Sequence, residues 1–133
     1  MKLDIVKGIG DVYAQKLMDA GINNTDELLE ICKTPAGRKR VADETGISND
    51  LILTWTNHID LFRINGVREQ FAELLEAAGV DTVPELARRN ATNLHEKMVE
   101  VNEAEKLSGR IPSVNQLTDW IEQAKKLPRV IEY

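Results

Sequence analysis

Basic residues are in short supply in this chain. Seventeen Lys and Arg face twenty-two Asp and Glu, giving a net charge of −5 and a sequence pI near 5.1. A dedicated nucleic-acid binder carries the opposite balance. Cysteine is scarcer still: Cys32 stands alone, so no intramolecular disulfide can form. His58 and His95 are isolated, with no Cys or His at ligand spacing, so neither a metal site nor a cofactor is expected. No Ser-His-Asp set, framed carboxylate pair or lysine-bearing phosphate loop occurs, and the chain is not expected to be an enzyme. No apolar run approaches a membrane span or a secretory h-region, and the first motif begins at once. The expected location is therefore cytoplasmic, with no membrane partner.

Period-two runs of β-branched residues are also missing, while Leu, Glu, Ala, Lys and Arg dominate. This predicts an all-α fold. At 133 residues and 42% hydrophobic content the chain can bury a core, whereas pieces half that size are marginal alone.

What is present is organised around Val6-Lys7-Gly8-Ile9-Gly10, which runs into Asp11-Val12-Tyr13-Ala14-Gln15-Lys16-Leu17-Met18-Asp19-Ala20 and stops at Gly21-Ile22. Two glycines around one aliphatic residue suit a hairpin that ordinary side chains would obstruct. Ala14, Leu17 and Met18 then form one stripe of a short amphipathic helix. Gly21 stands where a left-handed C-cap belongs, with Ile22 placed to pack back on the helix.

The stretch returns 58 residues later as Ile64-Asn65-Gly66-Val67-Arg68 and the helix-forming run to Gly79-Val80. Gly8 maps to Gly66, Ile9 to Val67, Tyr13 to Phe71, Leu17 to Leu75 and Gly21 to Gly79. A second correspondence, at a spacing of 65, ties Ser48 and Trp55 to Ser113 and Trp120. Equivalent tryptophans read as core anchors rather than base-stacking platforms. Such self-similarity predicts two tandem repeats, 1–61 and 62–133, packed as one compact helical domain. Their basic and acidic counts are seven and ten, then ten and twelve, so neither is a basic module.

Local signals predict eight helices. Asn24 and Ser48 read as N-caps, Thr34-Pro35 as a stop and restart, and Thr82–Glu85 and Ser113–Gln116 as capping boxes. Ile52, Trp55, Ile59 and Phe62 share one helix face. Leu94, Met98 and Val101 point inward from another helix. Arg38-Lys39-Arg40 turns through three faces of its helix and reads as a solvated run. Arg88-Arg89 reads as a C-terminal pair complementing a helix dipole. Cys32 reads as core. Leu127-Pro128-Arg129-Val130 matches Leu61-Phe62-Arg63-Ile64 without a following Gly-apolar-Gly. It marks either the start of a further repeat in an array or a segment packing where the first hairpin lacks a preceding helix.

The motif apolar-x-Gly-apolar-Gly, its helix and its closing Gly-apolar pair resemble the second half of a helix-hairpin-helix. Ile64–Val67, Ala72–Val83, Glu85-Leu86-Ala87, Gly37-Arg38, Thr45–Ser48, Trp55, Asn57, Asp60-Leu61 and Trp120-Ile121 together resemble the bacterial domain-of-unknown-function family 4332. That family is built on paired helix-hairpin-helix motifs, and its superfamily is associated with DNA. Its second hairpin usually reads Gly-Val-Gly, where this chain has Arg68.

Helix-hairpin-helix motifs hold the sugar-phosphate backbone through hairpin amides and the next helix N-terminus. The resemblance implies Gly8, Ile9 and Gly10 as amide donors with Lys7 and Lys16 as added charge, and Gly66, Val67 and Arg68 in the second copy. Asp11 and Glu69 stand in the first turns, where a carboxylate competes with a phosphate; the hairpins then serve as tight turns with dipole-stabilised acids. Two functions stay open: a non-catalytic module binding duplex DNA weakly and without sequence preference, or a protein-interaction domain. The second predicts an exposed apolar patch around Phe62, Ile64 and Val130-Ile131-Tyr133. Neither names a partner protein or an oligomeric state.

Overall fold

Side chains written into the sequence start most of the helices. Asn24 accepts the Glu27 amide at 2.8 Å, Thr34 the Gly37 amide at 3.0 Å and Asn90 the Asn93 amide at 3.0 Å. Ser113 and Gln116 close a full capping box. The computed structural model describes residues 1–133 and is all-helical. After a 3₁₀ turn at Leu3–Ile5 come α1 (Asp11–Asp19), α2 (Thr25–Cys32), α3 (Pro35–Thr45) and α4 (Asn49–Leu61). They are followed by α5 (Glu69–Ala77), α6 (Val83–Ala87), α7 (Ala91–Glu105) and α8 (Val114–Lys126). No helix is long and apolar enough to cross a membrane.

The chain divides into two compact units. The first is Met1–Asp60 together with Val130–Tyr133; the second is Leu61–Arg129. In the first, α3 packs on α1 and α2. Leu17, Ile22, Leu28, Val41 and Trp55 are buried there. In the second, α8 packs on α6 and α7, and α7 on α5. Leu74, Leu75, Leu86, Leu94, Met98 and Leu117 are buried there without remaining exposure.

Several expectations need correction. Arg38 is not solvated: it is 4% exposed, while Lys39 and Arg40 stand in water beside Asp43 and Glu44. Its guanidinium donates to the carbonyls of Cys32 at 3.0 Å and Glu132 at 2.8 Å, so burial leaves no bare charge. Met18 is 41% exposed, because Leu17 alone is buried on α1, with Tyr13 and Ala14 half-buried beside it, and Met18 falls to one side. Val101 is only half-buried. Thr82 accepts no cap bond; its hydroxyl instead donates to Glu85 at 3.4 Å. Arg89 reaches past its own helix to the carbonyl of Ala78, at the end of α5, at 3.3 Å.

The amphipathic reading of α4 also falls short. Every residue from Trp55 to Phe62 is buried, not one face alone. Polar letters disguise this, since Thr56 returns its hydroxyl to the Ile52 carbonyl at 2.7 Å. The expected patch around Phe62 and Ile64 is therefore absent. Of the closing residues, Ile131 is buried, Val130 is half-buried, and Glu132 and Tyr133 are exposed.

Candidate functional site

The candidate site is the turn ahead of α1, with its counterpart ahead of α5. In the first unit the Val6 amide donates to the Leu3 carbonyl and the Ile9 amide to the Val6 carbonyl, each at 3.1 Å. Gly8 has φ +93°, a region costly for any residue with a Cβ. That Cβ would also stand 3.3 Å from the indole Nε1 of Trp55. The buried indole thus supports the turn from below, and Tyr13 packs edge-on against it at 5.2 Å between ring centroids.

The same bonds recur in the second unit, 58 residues on. Ile64 donates to Leu61 and Val67 to Ile64, each at 3.1 Å. Gly66 has φ +103°, and its Cβ would lie 2.9 Å from the Trp120 indole Nε1. Phe71 packs against Trp120 at 5.4 Å. Both helices end alike, on Gly21 and Gly79 at φ +90° and +95°. Ile22 there bonds back to Leu17 and Val80 to Leu75.

This geometry revises which groups face outward. Ile9 and Val67 are buried, with their amides engaged inside the turn, so neither amide is placed to meet a phosphate. The exposed donors belong to the next turn. Neither Gly10 nor Arg68 supplies a side-chain cap to the helix that follows. The first amides of α1 and α5 also have no partner within their helices. Such a bare helix start can accept an anionic oxygen.

Gly10 does not need to be glycine. Its φ is −85°, and a Cβ there would meet nothing within 4 Å. Arg68, at φ −129°, takes the equivalent place without strain and donates its Nη1 to the Val67 carbonyl at 2.8 Å. Helix α5 opens from Arg68 as α1 opens from Gly10.

The charged surroundings differ between the two turns. Lys7, Lys16 and Asp11 are exposed around the first, and the Lys16 ammonium lies 6.0 Å from the Tyr13 ring centre. Beside this turn a groove of about 440 Å³ is lined by Leu3, Ala14 and Met18 and edged by Lys2, Asp4 and Asp11. At the second turn a cleft of about 220 Å³ is lined by Gly66, Arg68, Glu69, Gln70, Phe71 and Arg110. Arg110 lies over the Phe71 ring at 5.5 Å. Sequence reading missed Arg110, because its loop has no linear tie to the hairpin. It also missed Gln123, whose side chain bonds both the amide and the carbonyl of Asn65.

The buried Cys32 thiol is pushed up to about 11 by desolvation, with Arg38 partly offsetting the shift. It is therefore a neutral core group at physiological pH.

Residues 7–127 match the family described as domain of unknown function (DUF4332), and the chain belongs to that family. No solved structure matches it.

Proposed function

We propose that the chain is a non-catalytic binding module of two tandem helix-hairpin-helix repeats, working in the cytoplasm. The start of α1 behind Gly8-Ile9-Gly10 holds the backbone of duplex DNA weakly and without reading sequence. Gly10 carries this reading. Backbone conformation does not require a glycine there, and neither does packing. What a glycine does provide is a bare approach to the first amides of α1, with no side chain between them and a phosphate. Lys7 and Lys16 add positive charge beside it, while Asp11 and the acidic surface keep the contact weak.

The test is fluorescence anisotropy of a labelled duplex, titrated at low salt and then at rising salt. Binding should fall along a log–log salt line whose slope reflects a few neutralised phosphates. Gly10→Asp should abolish it while leaving thermal unfolding unchanged, since a side chain fits at that position. Absence of binding at high micromolar protein and low salt would sink the reading.

A second reading, a protein-interaction domain, is favoured by the apolar groove over Leu3, Ala14 and Met18. Val12, 70% exposed, adds apolar surface on the same helix. Here a pull-down should recover partners that Met18→Lys loses and Gly10→Asp retains.

A further inference from the structure

We infer that Val130–Tyr133 is a releasable latch, held in a site of the first unit that reads the main chain of an extended segment. Residue 132 is gripped at both backbone groups. Its amide donates to the Lys33 carbonyl at 2.7 Å, and its carbonyl accepts from Arg38 Nη2 at 2.8 Å. The Glu132 side chain stays exposed, so its chemistry is not read. On one side Ile131 is buried. On the other, the Tyr133 hydroxyl donates to Asn57 Oδ1 at 2.9 Å, and the Arg38 guanidinium lies 5.8 Å from the Tyr133 ring centre. The site thus fits an extended aliphatic–any–tyrosine sequence.

The receptor half is built independently of the latch. Arg38 is fixed on α3 and donates its other nitrogen, Nη1, to the Cys32 carbonyl at 3.0 Å. Helix α2 ends at Cys32 without a glycine cap, since Thr34-Pro35 follows directly. Its last carbonyls need outside donors, and Arg38 and the Glu132 amide supply them. Only the second of these leaves when the latch opens.

Release is favoured by what holds the latch. Ile131, the hydrogen bonds of Glu132 and Tyr133 and the guanidinium–ring contact are set against the conformational freedom of four residues, and terms of that kind largely offset one another. Opening then proceeds as a local event, well short of global unfolding. In the open state Arg38 and the Lys33 carbonyl are presented to any extended segment of the same pattern.

Native-state amide exchange by NMR on the intact chain tests this. The Glu132 amide should be protected, yet exchange at least about tenfold faster than amides of α4, at a rate insensitive to low denaturant. Ile131→Asp should remove that protection while α4 amides stay slow. A peptide of residues 127–133 added to this variant should then shift the Lys33 and Arg38 resonances. Tyr133→Phe, a milder change, should speed Glu132 exchange a few-fold. Exchange of Glu132 in step with α4 across denaturant would overturn the latch, as would no protection at all. A peptide that shifts nothing at millimolar concentration would overturn the site.

Discussion

The turns ahead of α1 and α5 share their backbone and differ almost everywhere a partner could touch them. The shared part is narrow: a left-handed glycine over an indole, a short ladder of turn bonds, and a glycine at the helix end. These recur because each is a backbone necessity or a close contact that one residue type satisfies. The differing part begins at Gly10 and Arg68, equivalent in the chain and both extended. One turn offers a bare helix start flanked by lysines. The other carries an arginine of its own and borrows a second, Arg110. The fold therefore constrains the first glycine of each hairpin and leaves the second to whatever the surface does.

The spacing change from 58 to 65 locates the source of that loan. Seven additional residues enter the second unit between Leu86 and Ser113. They lengthen α7 relative to α3 and form the loop from which Ser108 approaches Gln70 at 3.4 Å and Arg110 covers Phe71. The first unit lacks that loop. At its short α3, Gly37 lies so close to α2 that a Cβ would overlap the Ile31 carbonyl oxygen.

The largest expected effect therefore belongs to the first unit alone. Gly37→Ala should destabilise it by more than about 3 kcal/mol, read from urea unfolding, because backbone rather than a flexible side chain blocks the new methyl. Next comes the paired glycine. Gly66→Ala should cost about 2–3 kcal/mol and Gly8→Ala about 1–2 kcal/mol, through positive φ plus the tighter indole contact at Gly66. Equal costs would mean that the indoles yield and that only backbone conformation matters.

Cys32 has no cysteine counterpart, which gives the first unit an alkaline sensitivity of its own. An unfolded thiol ionises near 9.0, and this one near 11. Its proton is held more tightly in the folded state. The resulting stability is complete below pH 9 and lost as pH climbs from 9 towards 11, amounting to about 2 kcal/mol or less. Cys32→Ala should lag the parent in denaturant midpoint at pH 8, and the gap should close by pH 10.5. A gap that stays constant would show that the thiol ionises alike in the folded and unfolded chain.

The smallest effect is a gain. Thr25 is fully buried with no partner for its hydroxyl, and the equivalent residue in the second unit is the buried Val83. Thr25→Val should raise stability by about 1 kcal/mol, measured as a higher urea midpoint at unchanged slope.

Legibility in the sequence followed range. Asn24 and Ser113 were readable as caps because donor and acceptor lie three residues apart. Gly21 and Gly79 were readable because a helix end demands them locally. The Gly–Trp contacts left a trace in the recurrence of both residues in each unit, although recurrence alone could not say that glycine and indole touch. Arg38 was misread because its burial depends on Glu132, 94 residues away. Arg110 was missed for the same reason. At the candidate site the turns were legible, but the outward donors were not. That the Ile9 amide faces inward is a matter of hairpin geometry, which identity does not encode.

The first unit is also discontinuous: it takes its final four residues from beyond the whole of the second. During synthesis Arg38 and the end of α2 leave the ribosome long before Glu132 exists. At roughly 5–20 residues per second the interval is several seconds or more. Through that time the Arg38 guanidinium lacks one of its two carbonyl acceptors. The portion made first is thus the portion completed last, and a released chain that stops at Arg129 should form α5–α8 while the end of α2 stays unsealed.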